Sequence, residues 1–168
     1  MKKWSRLLFI LPIGVLLWLS VSFAKEYSWE IVEEMISQRY PNTPTMDIYE
    51  FTQRRLREDI IVVDVRPETE FRVGHLYHAR NLDTPEKLVL LSKNDTIVLY
   101  CSVGYRSAKM VHHLQEQGYE HVFNLKGSIF AWANAGFSVF RGEKQVETVH
   151  PFNEMWGQLL EKKYHAYQ

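Results

Sequence analysis

The sequence predicts an α/β fold, a mainly parallel central sheet with helices on both faces. Three observations carry this. Short, mainly apolar runs recur at residues 60–65 (IIVVDV), 96–100 (TIVLY) and 121–125 (HVFNL), the pattern of strands buried on both faces. Stretches with helical spacing lie between them. Glycines stand where those helices would end, at Gly74, Gly118 and Gly136. Strands alternating with helices in this way build parallel sheets.

Each element has its own signal. Residues 27–39 (YSWEIVEEMISQR) place Ile31, Val32, Met35 and Ile36 at helical spacing, and the turn-rich PNTPT follows. This makes 25–44 an N-terminal helical extension and 45–142 the main domain. Residues 49–59 read as a short helix before the first strand. Residues 67–73 give a brief helix signal, and 84–92 another with proline near its first turn. After the second strand, 107–117 (SAKMVHHLQEQ) is a helix closed by Gly118. After the third, 128–134 (SIFAWAN) is a helix closed by Ala135 and Gly136. The tail, 143–168, carries Phe152, Met155, Trp156, Leu159 and Leu160 at helical spacing, so an amphipathic helix is expected after Pro151. Packing on the core, an oligomer interface and a lid near a site are all open to it.

The start of the chain differs in kind. Lys2, Lys3 and Arg6 precede an apolar run at 7–19, and Ser22 and Ala24 follow at the spacing a signal peptidase reads. Residues 1–24 are expected to be a signal peptide, the alternative being an uncleaved anchor near the lower limit for spanning a bilayer. Either places the domain across the membrane, in the periplasm or on the outer face of that membrane. The 168 residues balance 20 basic against 20 acidic groups. No basic surplus points to nucleic acid, and a membrane contact is expected only through the N-terminal segment.

The chain has one cysteine, so an exported protein of this sequence can form no internal disulfide. Its thiol is a buried structural group, an intermolecular link or a reactive group. The surroundings, YCSVGYRS at 100–107, favour the last. Cys101 ends a strand, and a helix is expected to begin near Ser107. The backbone N–H groups of the loop and the helix N-terminus can then form an anion cradle. A thiolate there would gain from the helix dipole and from Arg106, and Gly104 lets the backbone bend tightly. Seven histidines are present, including His75 with His78 and His112 beside His113, but no cysteine pair or HExxH accompanies them. No metal site and no cofactor are expected.

Residues 46–140 resemble the rhodanese-like domain of the single-domain sulfurtransferases. The resemblance rests on three motifs in order: Asp64-Val65-Arg66 with Glu70-Phe71, Gly74-His75-Leu76 and Ala79-Arg80-Asn81-Leu82; Cys101 with Gly104 and Arg106; then Gly118-Tyr119, Val122, Leu125 and Gly127 to Trp132. Ser128 stands where the family usually has a second glycine, a change expected to leave the chemistry alone. Ser102 stands where several members carry arginine, which bears on substrate preference. Related phosphatases use a loop one residue longer, so the loop length resembles the sulfurtransferase class.

The resemblance implies ping-pong nucleophilic catalysis. Cys101 would take the outer sulfur of thiosulfate or a polysulfide as a persulfide and yield it to cyanide, a thiol or sulfide, with a protein acceptor also open. Arg106 would hold the thiolate and attract the donor. Ser102, Val103, Gly104 and Tyr105 would line the donor site. Asp64, Arg66, Glu70 and His75 are expected to support the loops. The alternative from another class is a non-enzymatic carrier that binds persulfide or polysulfide and hands sulfur to a membrane partner.

Overall fold

The three apolar runs form the middle of a five-stranded parallel sheet. The structure, a computed structural model, describes residues 28–168, and the expected signal peptide or anchor lies outside them. Strands β1 (Thr45–Met46), β2 (Ile60–Asp64), β3 (Arg80–Asn81), β4 (Thr96–Tyr100) and β5 (Val122–Leu125) lie in the order β1-β5-β4-β2-β3, every pair parallel. Successive strand residues point to opposite faces, and both faces here are apolar. Ile97 and Leu99 join Val63, Val111 and Leu114 in one cluster, while Val98 and Tyr100 join Val62, Leu125 and Ile129 in the other. Each such side chain, fully buried, contributes about 1.5–3 kcal/mol of transfer free energy.

Helices cover both faces. On one lie α4 (Pro85–Leu88) and α5 (Tyr105–Glu116), through Leu88, Val111 and Leu114. On the other lie α1 (Trp29–Arg39), α2 (Ile48–Arg54) and α6 (Ser128–Asn134), through Val32, Phe51, Ile129 and Phe130. The four-residue α3 (Glu68–Phe71) follows β2. None of the described helices is long and apolar enough to cross a membrane.

The order of strands creates the site. β2 and β4 are neighbours but not consecutive, because β3 pairs on the far side of β2. Connections therefore diverge between them, and a crevice opens at their carboxyl ends. The loops carrying Arg66 and Cys101 meet there.

Five details depart from what the sequence predicts. The two-residue strands β1 and β3 were not expected, since so short a ladder leaves no period to detect. The helix at 84–92 shrinks to α4, and that expected from Ser107 starts at Tyr105, so Arg106 lies on its first turn. A hairpin of β6 (Val139–Arg141) and β7 (Lys144–Val146) straddles the expected boundary at Gly142. The tail forms only α7 (Glu154–Gly157) and a 3-10 turn at Lys162–Tyr164. Leu159 and Leu160 are buried in the core, and the Val149 N–H donates to the Tyr164 carbonyl at 2.7 Å, so the tail folds back on itself rather than extending as one helix. It passes so close to Gly74 that a Cβ there would lie 1.9 Å from the Thr148 carbonyl oxygen.

Candidate active site

Cys101 sits at the end of β4 with its side chain buried. The loop backbone around it is oriented from behind. The carbonyls of Cys101 and Ser102 accept from the N–H groups of Ile129 and Phe130, at 3.2 and 3.1 Å, on the first turn of α6. A trans peptide sets N–H opposite C=O, so the Ser102 and Val103 N–H groups point away from α6. The Gly104 N–H donates to Cys101 Sγ at 3.2 Å, and the residue's φ of 109°, a left-handed conformation open to glycine, then turns its carbonyl and the following chain into α5. The Gly104 carbonyl is fixed in turn by Asn124, whose side-chain amide donates to it at 3.1 Å.

Ser107, on the first turn of α5, lies with its hydroxyl 3.6 Å from Sγ and 3.2 Å from the Gly104 carbonyl. It has one proton to give, and a thiolate is the stronger acceptor. Burial pushes the Cys101 thiol up. The charge of Arg106, the Ser107 hydroxyl and the N–H groups of Ser107 and Gly104 outweigh it, and the thiol is held below its ordinary range. Alkylation of Cys101 by iodoacetamide should therefore rise with pH and level off with a midpoint below the roughly 8.5 of a free thiol. Arg106→Met should move that midpoint upward. An unmoved midpoint would show that Arg106 does not set the thiolate's stability.

Arg106 is itself held. Its Nη1 and Nη2 donate to the two carboxylate oxygens of Glu70 at 2.7 and 2.8 Å, and Nη2 also donates to Ser102 Oγ at 2.9 Å. The Ser102 hydroxyl donates to Glu70 Oε2 at 3.2 Å. Burial raises the Glu70 carboxyl, but the Arg106 hydrogen bonds and charge, with Arg66 and Ser102, hold it below its usual range. Ser102 thus lines the site while its hydroxyl is engaged by this pair. Behind it, the fully buried Arg66 donates Nε to Asp64 Oδ1 at 3.0 Å and Nη2 to Asp64 Oδ2 at 2.6 Å and the Gly74 carbonyl at 2.7 Å. The four charges Asp64, Arg66, Glu70 and Arg106 sum to zero.

His75 does not face the thiol. Its Nε2 accepts from the Gly142 N–H at 3.2 Å, which leaves the proton on Nδ1 to be donated to the Leu76 carbonyl at 2.9 Å, and its ring stacks on Phe71. It ties the loop after α3 to the β6–β7 hairpin. Val103 and Tyr105 border the space over Cys101, with Tyr105 in edge contact with Tyr40 of the N-terminal extension.

The structure corrects one expectation and adds several residues. Ser128 does touch the chemistry: its Oγ accepts the Cys101 N–H at 3.1 Å and donates to the Leu125 carbonyl at 3.2 Å. It does so from φ 51°, the left-handed conformation that explains why a glycine is usual there. The Cys101 N–H is therefore fixed on Ser128 rather than free in the cradle. Ser107, Asn124, Met35, Phe152 and Trp156 also reach the site. Asn124 is a polar residue inside an apolar strand, Ser107 stands where the helix after the loop is expected to begin, and Met35, Phe152 and Trp156 carry helical spacing, which by itself does not set these last three beside Cys101.

A sulfurtransferase of Allochromatium vinosum is 32% identical over 117 residues, covering 68% of this chain and 96% of that protein. A tRNA uridine(34) hydroxylase of Cytophaga hutchinsonii is 32% identical over 114 residues, which span 61% of this chain and 36% of that protein. The crystal structure of a rhodanese-like domain protein from Staphylococcus aureus superposes with a TM-score of 0.51 at 27% identity, covering 62% of this chain and 97% of that one. With the family model for the rhodanese-like domain matching residues 48–135, more than half of its length, the chain belongs to the rhodanese-like domain family.

Proposed function

We propose that the protein is an exported sulfurtransferase that works through a persulfide on Cys101. The observation that carries this is the sole thiol at the end of β4, lowered in pKa, with the Gly104 N–H at 3.2 Å and the Ser107 hydroxyl at 3.6 Å. The Cys101 thiolate attacks the outer sulfur of thiosulfate or a polysulfide. With thiosulfate the S–S bond breaks, its electron pair leaves on sulfite, and the sulfur remains as Cys–S–S⁻. The donors around Sγ stabilise this charge as an oxyanion hole would. A thiophilic acceptor such as cyanide or a thiolate then attacks the outer sulfur and restores the Cys101 thiolate. Export rests on the pattern of residues 1–24 alone.

The near-complete burial of Cys101 favours a second reading. A persulfide so enclosed could be retained, as a carrier would retain it before meeting a membrane partner. Intact mass of the protein before and after thiosulfate or polysulfide tests the shared step: a gain of roughly 32 Da, removed by cyanide, is the expected result. Fast multiple turnover with small acceptors separates the enzyme from the carrier. No gain, with Cys101 still alkylatable, would overturn both.

A further inference from the structure

Over Cys101 lies a cavity of about 280 Å³, walled by Val103 and Tyr105 from the loop, Met35 from α1, and Phe152 and Trp156 from the tail. Three of these five, Met35, Phe152 and Trp156, lie outside the residues that match the family. The space is several times the roughly 30 Å³ share of one water, more than a small inorganic anion requires. Among the described residues lining it, Arg106 is the one cation, and both its terminal nitrogens already serve Glu70. Its guanidinium carbon is also covered by the Phe152 ring, 4.9 Å away. A dianion such as thiosulfate would thus meet apolar walls and a charge that is already paired.

Phe152 is placed there at a cost. It adopts φ 66°, an uncommon conformation for a bulky residue, and its N–H donates to His150 Nδ1 at 3.0 Å. Its ring nonetheless stays partly exposed at the mouth of the cavity, as does Met35. An aromatic ring held in a strained turn over the nucleophile, with further solvent-facing apolar surface beside it, is a wall for an apolar occupant.

We propose that this cavity selects sulfane-sulfur donors with an apolar organic body, of the class R–SO2–S⁻ where R is alkyl or aryl, over inorganic thiosulfate. The proposal rests on the sulfur-transfer reading above and narrows its donor. The Cys101 thiolate attacks the terminal sulfur, the S–S bond breaks, and its electron pair leaves on the sulfinate R–SO2⁻. The product is Cys–S–S⁻, and charge and atoms balance without a further reactant. R lies against Phe152, Met35 and Trp156 while the reacting sulfur meets the Gly104 N–H.

The test is the second-order rate constant of Cys101 persulfidation, read by intact mass, with methanethiosulfonate, butanethiosulfonate and thiosulfate. The two organic donors release alkanesulfinates of like reactivity, so their ratio reads the cavity. A fully buried methylene is worth ~0.8 kcal/mol, roughly fourfold in rate. Butanethiosulfonate should therefore react about tenfold or more faster than methanethiosulfonate, allowing for incomplete burial of its three extra methylenes. Phe152→Ala and Met35→Ala, at partly exposed positions, should each lower that ratio. A flat series, a rise untouched by both variants, or thiosulfate reacting as fast as butanethiosulfonate would overturn the proposal while leaving the persulfide chemistry standing. Failure of all three donors to persulfidate Cys101 would instead overturn the sulfur-transfer reading, and this proposal with it.

Discussion

Cys101→Ser should abolish sulfur transfer, lowering turnover by at least about a thousandfold, the scale on which loss of a nucleophile is felt. The physical reason is that the loop is built to stabilise charge on one atom. The Gly104 N–H and Ser107 hydroxyl converge on Sγ, and Arg106 adds the nearest positive charge. A serine oxygen would receive the same donors, but an alkoxide is far harder to form and does not take up sulfane sulfur. The substitution exchanges one sulfur for a smaller oxygen at a buried position, so the fold should survive it. The measurement is intact mass after treatment with donor, beside the rate of thiocyanate formation with cyanide. A persulfide on the serine variant, or turnover within tenfold of the parent protein, would remove Cys101 from the mechanism.

Asp64→Ala should cost the most stability, about 3–5 kcal/mol, the range for breaking a buried ion pair from one side. Both partners are fully buried, and Arg66 cannot shed its charge. Its Nη1 already has no partner among the described residues, so little remains to compensate the loss. The consequence reaches the site. Asn81 donates to the carbonyls of Asp64 and Arg66 at 3.1 and 2.7 Å, and Arg66 anchors the Gly74 carbonyl, so the two ends of the segment that carries Glu70 belong to the same network. Urea denaturation is the check, with the midpoint expected to fall by roughly 2 M at the slopes usual for such a chain. The double variant Asp64→Ala with Arg66→Met should recover part of the loss, because it removes the stranded charge. A loss under about 1 kcal/mol in the single variant would mean that Arg66 finds water or another carboxylate.

The charge arrangement bears on how this site differs from a simple anion trap. Arg106 was expected to hold the thiolate and draw in the donor. Its attraction for the thiolate is present, but its hydrogen-bonding capacity is largely taken by Glu70 and Ser102. A serine after the nucleophile, in place of a cationic side chain, completes that pair instead of adding charge. The N–H groups of the loop are left as the main donors for an incoming anion, and the tail closes the rest with apolar surface.

What the sequence by itself determined is what depends on near neighbours. Short, mainly apolar runs, β-branched for most of their length in β2 and β4, are best satisfied in a sheet covered on both faces, which made β2, β4 and β5 legible. A cysteine directly after such a run, followed by Gly104 and a helix, had to stand at the carboxyl edge of that sheet, and the three motifs gave the family. Tertiary structure alone decided the rest. Glu70 meets Arg106 across 36 residues and Ser128 meets Cys101 across 27, and no local spacing encodes such a pairing. Helical spacing in the tail predicts one amphipathic helix. It was overridden by the pairing of Val149 with the end of the chain and the burial of Leu159 and Leu160, which bend the segment so that Phe152 and Trp156 face the site. Periodicity records which residues avoid water, whereas the neighbour that shields each of them is chosen only when distant parts of the chain are packed together.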